Sequence, residues 1–549
     1  MRLIDVAAIL DVEEGINQGN GVNPNTEIIK WFCGPDLEEK EYAILSHCWG
    51  VAKQGEKEVS FKEMTKLLLM DEGRRNEIRG RTGYKKIVDT CKQAKKDGLE
   101  WAWVDTCCID KRSSSELSES INSMYQWYKN AKQCYNYLHD TVGDSWTDWR
   151  ESTVIPKWFS RGWTLQELIA PKLAHFFDQK WEFIGDKTQL ADSLSVVARV
   201  PAHVLKYGLD GTRPSVAQVM SWAADRTTTR EEDRAYSLLG LLGVHMPMLY
   251  GEGKNAFRRL QLEIIRMSND HSIFAWGHTW TSGWSSSFLA DDPSWFRDCG
   301  SIELSLFNNN FGQLWKTFTV TNNGIKIRLP TITHGSISQV ILACSDLSSY
   351  PKMIAIHLVV LDSTCFRIFG IPNHPGKMEF KQHFLPYTEA RYPTTSVFEL
   401  QYPTLSHNGF VLDCVVPEGI EVKDTSITLS EEKDFAAISY VRREDDTRFL
   451  VLLSNCGPRC SAFTILSPEN FEQKVAFLRW RALQRLVDER SDISPYFVKH
   501  AHFRRSIQGA RVIYGATHRD EARCMVTIDI ARCPGCCTSV SHATYDVAH

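Results

Sequence analysis

WFSRGWTLQELIAP, Trp158 to Pro171, is the stretch from which the fold is read. Leu165, Leu168 and Ile169 recur at three- and four-residue spacing, an apolar stripe that predicts a helix with its core face there. Ser160 stands where an N-cap would and Pro171 ends the run, so one helix is expected over 158–170. Trp163 and Glu167 are four residues apart and share a face, with Arg161 near the helix start. That face has two readings: a surface carboxylate beside a half-buried indole, or a carboxylate in an aromatic-walled pocket poised for chemistry.

Moving outward, the segments before this helix alternate. Tyr42–Leu45 is a short apolar run that stops at Ser46, His47, Cys48, Trp49 and Gly50, which predicts a buried strand opening into a tight loop. Such a loop, at a strand's carboxyl end, is where open α/β sheets bind ligands. Thr82–Lys96 has Ile87, Val88, Cys91 and Ala94 on one helical face, with Gly98 as its C′ residue. Trp101–Val104 reads as a second strand, ending in Asp105, which either faces ligand or caps the following turn. Ser113 and Glu116 form a capping-box pattern ahead of Leu117, Ile121, Met124, Tyr125 and Tyr128. Cys134–Leu138 is a third strand. Strand and helix in alternation imply a three-layer α/β sandwich with a parallel sheet flanked by helices.

Residues 1–40 read as a polar lead-in, with order beginning at Tyr42. The α/β domain is expected over 41–190, closing on the strand-like LAHFFD and WEFIGD, and a helical extension over 191–278. Residues 279–549 read as a mostly antiparallel β domain, with a strand–NNG–strand pattern at 316–329, a second hairpin at 435–454 and a helix at Gln473 to Val487.

Bulk properties exclude several classes. The 549 residues carry a net charge of −4, so there is no broad basic field, and neither nucleic acid nor anionic membrane is an expected partner. Asp5 and Asp11 interrupt the first apolar run, unlike a signal peptide, and no window reaches a membrane span; a cytoplasmic location is expected. The 16 cysteines are then reduced thiols, with Cys107 and Cys108 in the core. Cys533, Cys536 and Cys537, and the looser pair Cys456 and Cys460, do not require a zinc site, and no metal is expected. There is no Gly-rich phosphate loop, HExxH or nucleophile elbow.

Taken together, AILSHCWG (43–50), WVDTCCIDK (103–111), SELSESINSMYQWYKNAKQCYNYL (115–138) and SRGWTLQELIAP (160–171) resemble the successive motifs of the fungal heterokaryon incompatibility (HET) domain. RTTTREEDRAYSLLGLLGV and MLYGEGKNAFRRLQLEI resemble the segment that follows it, so the likeness spans Tyr42 to Gly277. It implies a trigger of programmed cell death and a distant kinship with Toll/interleukin-1 receptor (TIR) domains, hence a flavodoxin-like sheet. Several TIR domains hydrolyse NAD with a helix-borne glutamate, and by position Glu167 takes that catalytic role. Ser46–Gly50 is similar to the loop after the first TIR strand, and Asp105–Lys111 to the loop that gates the TIR pocket. The first loop here is rich in cysteine and tryptophan where many TIR domains have an arginine. On this likeness Trp49 or Trp163 would wall the nucleotide ring, Arg161 would face a phosphate, and His47 would be a base or a structural donor. NAD or a related nucleotide would be substrate, with no bound cofactor. Self-association and an upstream recognition partner are implied; a non-catalytic signalling module acting by self-association, or a recognition scaffold, are the alternatives.

Overall fold

A computed structural model of the chain describes residues 1–19, 23–50, 57–143, 155–210, 213–280, 283–304, 317–334, 337–361, 364–371, 373, 375–388, 395–420, 422–423, 425–456, 459–466, 497–502, 508–516 and 523–532. They fall into two compact units: 1–276 with 290–304, and 277–289 with 305–549.

The first unit is built on a seven-stranded sheet. Its strands are β1 (Arg2–Asp5), β2 (Ile29–Trp31), β3 (Tyr42–His47), β4 (Trp101–Trp103), β5 (Gln133–Tyr137), β6 (Ala174–Phe177) and β7 (Phe183–Asp186), in the order β2-β1-β4-β3-β5-β6-β7. The middle four, β4-β3-β5-β6, are mutually parallel, and the flanking strands are antiparallel. Every residue of β3 is buried, as a parallel strand covered on both faces requires. Because β4 lies on one side of β3 and β5 on the other, the chain reverses direction there, which opens a crevice at the strands' carboxyl ends.

The helices are α1 (Val6–Asn17), α2 (Thr82–Lys96), α3 (Ser114–Asn130), α4 (Thr164–Ile169), α5 (Val216–Ala223) and α6 (Asn255–Met267), with shorter turns between. α2 buries the predicted Ile87, Val88, Cys91 and Ala94, and Gly98 follows it at a φ of 75°. α1 packs on α2, whereas α3 packs on α4. Ser113 caps α3, accepting from Glu116 N at 3.4 Å. The Glu116 side chain does not complete the box; it accepts from Asp110 N at 2.8 Å and pairs with Arg2.

Two expectations are corrected. Residues 1–40 are not a lead-in: they supply β1, α1 and β2, and Leu3, Ile4, Val6, Ile9 and Ile29 join the core around Ile44 and Trp103. Their polar turn residues masked two very short strands. The expected helix over 158–170 is broken into a 3-10 turn, Lys157–Ser160, and α4. The cause lies in the backbone: Gly162 N donates to Thr227 O (2.8 Å) and Thr227 N to Ser160 O (2.6 Å), so these groups serve a strand-like pairing instead of a helix. Ser160 is no N-cap; its hydroxyl donates to Lys157 O at 2.8 Å.

The second unit is antiparallel in the main. One sheet carries the predicted hairpin Phe318–Thr321 with Gly324–His334, followed by Ile337–Asp346, Lys352–Leu361 and Thr364–Ile368. A second sheet contains one parallel pair, Thr395–Gln401 with Arg523–Arg532. A third holds the hairpin Phe435–Arg442 with Thr447–Cys456, and its buried Ile438, Phe449 and Val451 pack with Phe398 and Ile528 of the second. The helix expected at 473–487, Cys533, Cys536 and Cys537, and the side chains of Cys456 and Cys460, lie outside the described residues. Among the described residues no helix is long and apolar enough to cross a membrane, and no group of three or more His, Cys, Asp or Glu is placed to hold a metal ion.

Candidate functional site

A cavity of about 460 Å³ lies at the carboxyl ends of β3 and β4. β3 ends in His47, β4 runs through Val104 to Asp105, and α4 brings Glu167 beneath them; His47, Trp49, Asp105, Arg161, Trp163 and Glu167 all line it. Glu167 is 8% exposed. Ser46 is buried just behind, donating its hydroxyl to the Glu167 carboxyl and accepting from Trp158 Nε1 at 2.9 Å. Burial pushes the Glu167 carboxyl up to about 7, with the nearby Asp105 charge adding to the rise and Ser46 and Arg161 opposing it. The group therefore changes charge close to neutral pH, as suits a residue that must act in one form and be reset in the other.

On the rim, Trp49 Nε1 donates to Asp105 Oδ2 (2.8 Å), and Lys111 Nζ sits 3.5 Å from the centre of the Trp49 ring. Lys111 is also 3.8 Å from Asp105, so the carboxylate holds an indole and an ammonium together at the mouth. His47 Nε2 lies 3.6 Å from Glu58, and Nδ1 lies 3.9 Å from Asp105. Burial would raise the Glu58 carboxyl, but His47 and Lys86 (2.8 Å) hold it well below the usual carboxylate range. Two sequence-selected residues are not brought to the cavity. The Cys48 carbonyl accepts from Lys86 Nζ (3.1 Å), burial pushes its thiol up to about 12, and Gly50 N donates to Glu58 (2.8 Å); both anchor the loop from behind.

The opposite wall comes from the helical extension and was missed by motif reading. Thr227, Thr228, Thr229, Arg230, Asp233 and Tyr250 all line the space. Arg230 stacks over the Tyr250 ring at 4.3 Å, and Tyr250 Oη donates to Asp233 at 3.0 Å. Burial raises the Asp233 carboxyl, with Tyr250 and Trp163 opposing. Arg226, 3% exposed, donates to Arg161 O (2.8 Å) and Thr164 Oγ1 (3.0 Å) and so secures the start of α4. Its burial works against its charge, and Glu167 favours it. The run RTTTR was visible as part of a motif, but nothing in its spacing says that it folds back onto Gly162. A Cβ at Gly162 would lie 2.5 Å from Thr228 Cγ2, so only glycine admits this approach.

The resulting cavity has an acid at its base, aromatic rings at Trp49, Trp163 and Tyr250, and cations at Arg161, Lys111 and Arg230. Rings can take a planar base and guanidinium or ammonium groups can take phosphates, which is the chemistry of a nucleotide site.

Residues 42–151 match the family described as Heterokaryon incompatibility protein (HET), and residues 255–284 match a domain of unknown function (DUF8212). The first match holds the loops after β3 and β4 and ends before Glu167. The chain is also similar to the Vegetative incompatibility protein HET-E-1 of Podospora anserina: 44% identity over 229 residues, which is 41% of this chain. It spans 16% of that relative's length.

Proposed function

We propose that this chain is a heterokaryon-incompatibility type cell-death effector, acting in the cytoplasm, whose first unit is TIR-like and hydrolyses NAD to nicotinamide and an ADP-ribose product. The observation that carries this reading is Glu167 itself: a carboxyl nearly sealed from water, facing a cavity walled by aromatic rings and three cations. The parallel order β4-β3-β5-β6, with the cavity where the chain reverses direction, is consistent with a flavodoxin-like sheet.

Pyridinium is a good leaving group, so cleaving the nicotinamide–ribose bond needs little acid catalysis. It needs a negative charge near the sugar as the bond breaks and an oxocarbenium-like centre develops. Ionised Glu167 supplies that charge from a low-dielectric site, where it acts more strongly than in water. Ser46 holds the carboxylate, Trp49 and Trp163 bracket the nicotinamide or adenine ring, and Arg161, Lys111 and Arg230 receive the pyrophosphate. Water then takes the place of nicotinamide on the ribose.

Incubating the purified chain with NAD and following nicotinamide release, beside Glu167→Gln, tests this. Release by wild type that is lost in the folded variant is expected. We further propose that self-association raises activity, so specific activity should climb with protein concentration. The second reading is a non-catalytic module that signals by self-association, favoured by the Ser46 bond that already satisfies part of the Glu167 carboxyl. Absence of release at every concentration would select it.

A further inference from the structure

We propose that the β-rich unit holds a separate binding site, for a planar-ring anion of nucleoside-monophosphate size. A cavity of about 650 Å³ lies wholly within that unit, in the range occupied by small-ligand pockets. Two permanent cations line it, Arg367 and Lys352. Arg367 is only 1% exposed, and its guanidinium lies 4.9 Å from the centre of the Phe369 ring. A guanidinium so deep, facing a cavity, offers forked donors that match phosphate or carboxylate oxygens. Against these stands one lining carboxylate, Asp346, and it is 4.0 Å from His278 Nε2 on the same wall. The electrostatics of the space thus favour an anion.

Its shape favours a ring. Trp280 and Phe369 both line the cavity, with centroids 4.8 Å apart and planes inclined at 51°. They meet over Gly277, where a Cβ would lie 3.0 Å from an atom of each ring and the φ of 62° suits glycine. Removing the side chain at that point is what lets the two rings close into one apolar wall beside the cations. A ligand with a flat base on this wall and a phosphate at Arg367 and Lys352 satisfies both features at once.

Isothermal titration of the full chain with adenosine monophosphate, adenosine and inorganic phosphate is the test. Adenosine monophosphate should bind more tightly than either fragment. Lys352→Gln should weaken it about tenfold, the effect of losing one charge-assisted contact. Ala355→Phe, which fills the cavity, should abolish it. Binding should persist in Trp163→Ala, in the other unit. Lack of heat at millimolar adenosine monophosphate, affinity no better than adenosine's, or binding that survives both Lys352→Gln and Ala355→Phe would overturn the proposal. Binding lost in Trp163→Ala would do so too, because the ligand would then occupy the Glu167 cavity. Arg367→Gln is a harsher probe, and the rim variants decide the matter if it fails to fold.

Discussion

The two cavities of this chain are anchored by opposite charges, and the difference is instructive. In the first unit a buried carboxyl, Glu167, sits at the end of parallel strands, and burial moves its titration to about pH 7. In the second a buried guanidinium, Arg367, sits among antiparallel strands and keeps its charge at any ordinary pH. A group that changes charge near neutrality can take part in a reaction; one that never does can only hold a ligand. The first cavity therefore has the electrostatics of a catalytic site and the second those of a receptor.

The sharpest way to break this contrast is at Glu167. Glu167→Gln keeps the shape and a hydrogen-bond acceptor for Ser46 but removes the charge, so nicotinamide release should fall on the order of 10²- to 10³-fold, read by single-time-point product assay. Stability should move the other way. A carboxyl whose folded value is raised from 4.5 to about 7 favours the folded state less and less as pH rises through that window, by roughly 3 kcal/mol in total. Glu167→Gln should thus unfold at higher denaturant than wild type at pH 8 and show no such advantage at pH 4.

Next in size is the pH profile. Ionised Glu167 being the active form, kcat/KM should drop about tenfold per unit below pH 7. A flat profile from pH 5 to 8 would remove the distinction between the cavities. Gly162→Ala should lower stability by roughly 1 to 3 kcal/mol through overpacking against Thr228, measured by thermal unfolding. Lys111→Gln, at the mouth, should raise KM for NAD about tenfold with kcat little changed. Smallest of all, Lys352→Gln in the second unit should leave nicotinamide release at the wild-type level.

Legibility in the sequence followed locality. α2 could be read to its end residues because its apolar face, charged flank and terminal glycine are all local signals. Glu167, Trp163, Asp105 and the loop after β3 were found because each stands at a strand end or on a short helix with a recognisable pattern. β1 and β2 were not, since strands of four and three residues carry too little periodicity to register. Arg230, Asp233 and Tyr250 reach the cavity through a fold-back some sixty residues or more from Glu167, and no period or spacing encodes such a contact. Cys48 and Gly50 show the converse: they share a motif with His47 and Trp49, yet the alternation of a strand end turns them away from the space their neighbours line.

Gly162 and Thr228 illustrate what that fold-back means for variation in the chain. With 2.5 Å between a hypothetical Cβ and the threonine methyl, a larger residue at one position is tolerable only with a smaller one at the other. A double-mutant cycle of Gly162→Ala with Thr228→Ser, which deletes that methyl, should therefore be non-additive, the second change restoring much of what the first removes. The two sites would then be inherited as a pair, and a homologous exchange of either segment alone would import half of a lock.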